Sequence, residues 1–192
     1  MEQLRMIYDG VAPEARTPRT IRGFSVRTLL RNEWEAYRRL RLACGFDLWK
    51  DENIEAFYKE HAIKDGIIVA VNDATGELVA SATAEYGELE DAPVPATLGW
   101  VMTSAQYGGK GLGRAVSAAA TRALVDANLK PIYLLTDDFR VPAVALYLKM
   151  GWKPWLFQDD MPGRWSALCS QLGYRDGWLE ENSITDIEPF LK

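Results

Sequence analysis

The chain has 192 residues, enough for one domain with appended ends and for a substantial core. Hydrophobic residues at 48% and charged residues at 26% are an ordinary globular balance, which excludes an extended disordered chain. A net charge of −5 gives no global field for nucleic acid, and two cysteines with one histidine exclude a disulfide framework and a metal-ligand cluster.

Charge is unevenly placed: eight Arg fall between Arg16 and Arg41, while residues 156–192 hold seven acids against three bases. The basic stretch reads as a solvated helix face. Seven Trp and eight Tyr read first as core filling, and Cys44 and Cys169 as buried, inert thiols. Met1-Glu2-Gln3-Leu4-Arg5 lacks the apolar stretch of a signal peptide, and no run reaches membrane-spanning length. The expectation is a cytoplasmic protein with no membrane and no nucleic-acid partner.

Residues 1–22, with Pro13 and Pro18 among polar residues, read as an irregular lead-in. Phe24-Ser25-Val26-Arg27 alternates as a strand does. Trp34, Tyr37, Arg41 and Cys44, three or four apart, predict a helix over 32–44. A second helix is predicted over 51–62, opened by Asp51 and carrying Ile54, Phe57, Tyr58 and His61 on one side. Gly66 to Val71 is a buried-strand run; after the turn Asp73-Ala74-Thr75-Gly76 the chain resumes as a strand from Glu77 to Tyr86, which makes a hairpin.

Beyond a loop with Pro93 and Pro95, Thr97 to Thr103 forms the next strand and runs into a glycine cluster. Residues 112–127 carry the apolar stripe Leu112, Ala115, Val116, Ala119, Ala123 and Leu124 of a helix. Pro131 to Thr136 is a short strand. Pro142 opens a helix that runs to Met150, with Gly151 as its left-handed cap. Trp152 to Phe157 reads as a further strand, and Trp165, Leu168, Cys169 and Leu172 as a helix that Gly173 ends. The last twenty residues give no clear element. This order makes a mixed α/β domain with helices on both faces of one sheet.

Gly108-Gly109-Lys110-Gly111-Leu112-Gly113-Arg114 holds four glycines in six residues between a strand and a helix. Glycine permits positive φ and close backbone approach to a ligand, and the first N–H groups of a helix bind anions such as phosphate. Lys110 and Arg114 add positive charge. A flexible turn without a ligand is the plainer reading of such a run taken alone. The P-loop pattern fails, because no Gly-Lys-Ser or Gly-Lys-Thr is present. The dinucleotide pattern Gly-x-Gly-x-x-Gly fails at Arg114.

The pattern that does fit resembles the GCN5-related N-acetyltransferases, whose signature is Arg/Gln-x-x-Gly-x-Gly/Ala after the fourth strand. A second block, Pro142-Ala143-Val144-Ala145-Leu146-Tyr147-Leu148-Lys149-Met150-Gly151-Trp152, is similar to the family's Pro-Ala-x-x-Leu-Tyr-x-x-x-Gly-Phe. The resemblance covers residues 98–152. It departs from the family at Gly108, where an Arg or Gln is usual (Gln106 lies two residues earlier), and at Arg140, where an Asn is frequent.

The resemblance implies a mostly antiparallel central sheet whose fourth and fifth strands splay apart. It implies an acyl-CoA-binding domain over 23–160, and a C-terminal helix and tail over 161–192 packed on the domain or at a dimer interface. The implied reaction is direct transfer of an acetyl group, or a short acyl group, from CoA to an amine of a small molecule or protein. Acetyl-CoA is the implied cosubstrate, homodimers are common in the family, and no metal is involved. By the same resemblance, Val101, Met102 and Thr103 hold the pantetheine and Gly108 to Arg114 the pyrophosphate; Arg140, standing where the family has Asn, is instead a candidate to meet a CoA phosphate or an acidic substrate.

Tyr147 matches the family's general acid; a phenol with a pKa of about 10 is protonated at neutral pH, as an acid must be. Tyr147 packing on the sheet is the structural alternative. For the base, Glu85 is the first candidate, with Asp137 and Asp138 behind it; His61 on a helix face reads as structural. Two other readings stay open: an acyl-CoA-binding protein with a non-amine thioester reaction or sensor role, and an interaction domain without catalysis.

Overall fold

The computed structural model describes residues 2–46, 54–87 and 89–190. In chain order the strands are β1 (Leu4–Tyr8), β2 (Phe24–Thr28), β3 (Ala62–Asn72), β4 (Leu78–Tyr86), β5 (Ala96–Thr103), β6 (Ile132–Thr136) and β7 (Lys153–Trp155). The helices are α1 (Trp34–Ala43), α2 (Ile54–His61), α3 (Leu112–Asp126), α4 (Val141–Lys149), α5 (Met161–Gln171) and α6 (Trp178–Asn182). All seven strands form one sheet in the order β2-β3-β4-β5-β6-β1-β7, antiparallel throughout except for β5 beside β6. This is the mixed α/β, mostly antiparallel architecture expected.

The sheet is buried on both faces. Leu112, Val116 and Leu124 of α3, Val144 and Leu148 of α4, and Met161 and Trp165 of α5 pack on one face with Ala80, Ala82 and Ala84 of β4. On the other face, Tyr37 and Leu40 of α1 and Ile54 and Tyr58 of α2 pack on Val69, Val71 and Met102. Alternation along β3, with Ile68 and Ala70 to the first core and Ile67 and Val69 to the second, feeds both. The helix expected over 51–62 appears as α2; its predicted opening at Asp51 lies outside the described residues.

The lead-in expected over 1–22 is the clearest correction. Leu4 to Tyr8 is a central strand, paired on one side with β6 and on the other with β7. Leu4, Met6, Ile7 and Tyr8 are all fully buried. Leu4, Met6 and Tyr8 face the α3 side and Ile7 faces a third apolar cluster with Tyr133 and Trp155. Arg5 stays in the strand because its guanidinium donates to both oxygens of Asp91 at 2.7 Å and lies 3.7 Å over the ring of Phe157. Neighbouring prolines hide this five-residue strand from a composition-based reading; residues 9–20, which hold only the single 3-10 turn Pro13–Arg16, match the irregular expectation.

The remaining differences are in length. The strand expected over Trp152 to Phe157 shrinks to β7, and α5 starts four residues before Trp165. The C-terminal residues that gave no element contain α6 and a 3-10 turn at Glu188–Phe190. Ile184 donates to the Pro154 carbonyl at 2.9 Å, which ties this segment to β7.

Candidate functional site

β5 and β6 run parallel but pair at only two positions, Ala96 with Ile132 and Thr97 with Tyr133. From Leu98 onward β5 pairs only with β4, and from Leu134 onward β6 pairs only with β1. The two strands therefore part in the middle of the sheet. A cleft of about 330 Å³ fills the gap, a size suited to a small-molecule site. Glu85, Trp100, Val101, Asp137, Arg140 and Tyr147 all border it. A larger cavity, about 510 Å³, lies between α2 and the start of β3, where Glu55 and Lys59 pair with each other, away from the parted strands.

The glycine cluster stands at the far end of β5, beyond Thr103. Gly111 is the N-cap of α3 at φ 82°, in the left-handed region, and Gly109 lies at φ 74°. No side chain caps α3, so its first-turn N–H groups have no side-chain acceptor. A Cβ on Gly113 would come 3.2 Å from Thr103 Oγ1 and 3.8 Å from Leu146 of α4, so the missing side chain lets α3, β5 and α4 close together. Gly108 and Lys110 are exposed. Arg114 turns back to the Glu14 carbonyl at 3.3 Å.

β5 carries a bulge. Ser81 pairs with Met102 and Thr83 with Gly99, so Trp100 and Val101 together face the single residue Ala82. Trp100 takes φ 48°, a strained value for a bulky residue. Of the three residues expected to hold pantetheine, Val101 borders the cleft, Thr103 sits against Gly113, and the Met102 side chain is buried under α1 and α2.

Glu85 is 6% exposed, and its Oε1 has no hydrogen-bond partner. Burial pushes its pKa up to about 7, against a smaller downward pull from Arg41. Arg41 is 1% exposed; it donates to the Tyr58 hydroxyl at 2.8 Å and lies 4.3 Å over the Trp100 ring. Its Nε and Nη2 are also buried without partners. The site thus combines a carboxylate poised near neutrality with a compensating cation behind the bulge. A carboxylate of that kind suits proton acceptance at pH 7.

Tyr147 comes from α4 and is 5% exposed, its pKa raised by burial and drawn back slightly by Arg140. Arg140, the residue before α4, pairs with Asp137 at 3.0 Å. Asp137 also accepts from Gln3 at 3.2 Å. Asp138 pairs with Arg164 at 2.5 Å, and that hydrogen bond holds its pKa low. Both alternative bases are thus engaged, and Glu85 is the carboxylate with an open oxygen. His61 Nδ1 lies 2.9 Å from the Phe57 carbonyl and its ring stacks on Phe57 at 4.1 Å, a local helix arrangement. Burial raises the pKa of both Cys44 and Cys169.

Tyr147, Glu85, Val101 and Arg140 are thus brought to one cleft, while the glycine loop lies beyond the far end of β5, outside the lining of that cleft. Sequence reasoning missed Arg41, Trp100, Gly99 and Gln3. Arg41 had a signal, since it occupies the apolar stripe of α1 between Tyr37 and Cys44. Gln3 had none, because it depends on β1 entering the sheet. Among the described residues no cluster of His, Cys, Asp or Glu forms a metal site. No helix of the described residues is long and apolar enough to cross a membrane.

Residues 31–152 match the family model described as the acetyltransferase (GNAT) family. No curated protein sequence is significantly similar. Among solved structures, a GCN5-related N-acetyltransferase from Sphaerobacter thermophilus superposes with a TM-score of 0.63 at 16% identity, over 80% of this chain and 49% of its own. A tandem GNAT protein of the clavulanic acid biosynthesis pathway gives 0.61 at 17% identity, over 80% and 50%. An aminoglycoside N-acetyltransferase in complex with CoA gives 0.56 at 18% identity, over 70% and 90%. The chain spans about half the length of the first two. With the family model matching most of the chain, the protein belongs to the GNAT family of acetyltransferases.

Proposed function

We propose that this protein transfers an acetyl group, or a short acyl group, from CoA to an amine by direct attack. The observation that carries the reading is the order of features along β5 and into α3. Where β5 parts from β6 it borders a cleft lined by Glu85 and Tyr147, and beyond its far end stands the uncapped N-terminus of α3 with left-handed Gly109 and Gly111. The loop fits a pyrophosphate: its N–H groups and the helix dipole favour an anion, and the absence of a Gly113 side chain lets the start of α3 pack close to β5 and α4. Acetyl-CoA supplies the activated carbonyl. The bulge at Trp100–Val101 interrupts the ladder and leaves backbone groups of β5 to meet the pantetheine and the thioester oxygen.

Glu85 takes one proton from the incoming ammonium and passes it to solvent. The neutral nitrogen then attacks the thioester carbon, so that an N–C bond forms. As the C–S bond breaks, Tyr147 protonates the departing sulfur and is reprotonated by the nitrogen of the collapsing intermediate. The products are an amide, free CoA and one proton.

The test is a calorimetric titration of acetyl-CoA, alongside a variant with Gly111→Glu and Gly113→Glu. The expected result is micromolar binding, about −8 kcal/mol, lost in the variant. Absence of binding to the folded wild-type protein sinks the reading. Binding without thiol release across a broad amine panel would favour the sensor reading instead.

A further inference from the structure

Resting on the acyl-transfer reading, the walls of the cleft narrow the acceptor. Beyond Glu85 the cleft is bordered by Phe46, Phe57 and Trp100. The Phe46 ring stands at 75° to Trp100 with centroids 5.7 Å apart, and Phe57 at 85° and 6.4 Å. Two rings nearly perpendicular to a third make an aromatic box, suited to a flat apolar body held by edge and face contacts.

The charges argue in the same direction. Among the described residues, the charged groups bordering the cleft are Glu85, Asp137 and Arg140. Asp137 and Arg140 neutralise one another at 3.0 Å. Glu85 alone has an unpartnered oxygen, and the cation of Arg41 lies close behind it. Among the described residues the cleft thus offers one open carboxylate, which fits a single ammonium group. Arg41 also lies over the Trp100 ring at 4.3 Å and draws on its negative face, so the box favours a neutral ring over a second cation.

We propose that the acceptor is an arylalkyl primary amine, with its ring in the Phe46–Phe57–Trp100 box and its single amino group at Glu85. Its acetylation yields an N-acetylarylalkylamine, free CoA thiol and one proton.

The test measures thiol release from acetyl-CoA with 2-phenylethylamine, tryptamine, n-butylamine, spermidine and kanamycin. The expected kcat/KM for the two aryl amines exceeds that for the other three by tenfold or more. Phe57→Ala is expected to raise KM for the aryl amines at least fivefold, with acetyl-CoA affinity and kcat little changed. Phe46→Ala carries the same expectation and replaces the first variant if thermal melting shows it unfolded. Equal or better turnover of spermidine or kanamycin overturns the assignment, as does an unchanged aryl-amine KM in a folded variant. In either case retained acetyl-CoA binding leaves the acyl-transfer reading standing. Loss of acetyl-CoA binding by the wild-type protein removes both.

Discussion

Gly99 faces Glu85 across the β4–β5 ladder so closely that a Cβ on the glycine would lie 3.0 Å from Oε2 and 3.1 Å from both the carboxyl carbon and Oε1. Gly99 pairs with Thr83, which puts it on the same face of the sheet as Glu85, two residues further along β4. The glycine thus leaves the space in which the carboxyl group rests. Gly99→Ala should push the carboxyl group aside while the backbone holds. The expected outcome is a fall in kcat of about tenfold to a hundredfold, in line with small misplacements of reacting groups. Acetyl-CoA affinity measured by calorimetry should change little. Unchanged kcat would remove Glu85 from the reaction.

Glu85 also links activity to pH and to stability. Burial raises its pKa from the ordinary 4.5 to about 7. The rate, followed as kcat/KM, should therefore rise with pH through about 7 and level off above it, as the carboxylate forms. Stability should move the other way. Between the two pKa values the folded protein holds a proton that the unfolded chain has released, so folding weakens as pH climbs from 4.5 to 7 and is level beyond. Relative to Glu85→Gln, the wild-type protein should lose about 2–3 kcal/mol between pH 5 and pH 8. Urea unfolding of both proteins at the two pH values measures this directly. The variant should also lack the acid limb of the rate profile.

Tyr147→Phe tests the proton donor. Its ring lies in the main core beside Trp152, centroids 6.2 Å apart, and Phe keeps that packing. If the hydroxyl protonates the leaving sulfur, kcat should drop about a hundredfold or more with acetyl-CoA affinity retained. Unchanged turnover would make Tyr147 a packing residue only.

Met6→Ala tests the inserted strand. Met6 is fully buried and lies between Leu134 of β6 and Pro154 of β7. Truncating a buried methionine to alanine costs about 2–5 kcal/mol, whereas a residue in an irregular surface lead-in would cost under about 0.5 kcal/mol. Denaturant unfolding separates the two.

Much of this protein is legible in its sequence because the informative features are local. The apolar stripe of α3, the hairpin of β3 and β4, and the glycine run before a long helix are each contained in a short window. Pro142 and Gly151 likewise bracket α4, with Gly151 at φ 88° as its left-handed exit. Periodicity, capping chemistry and the two family blocks therefore sufficed to place Tyr147 and the loop.

Tertiary structure alone decided the rest, since it depends on partners distant along the chain. β1 is a strand because β6 and β7, more than 120 residues away, leave an unpaired slot that its backbone fills. The raised pKa of Glu85 arises from desolvation by elements that the sequence holds far apart, with Arg41 of α1, over the Trp100 ring, pulling it partly back. A carboxyl group carries no mark of its future burial, and an arginine none of the ring it will cover. Both properties come from packing, which the order of residues specifies only through the whole fold.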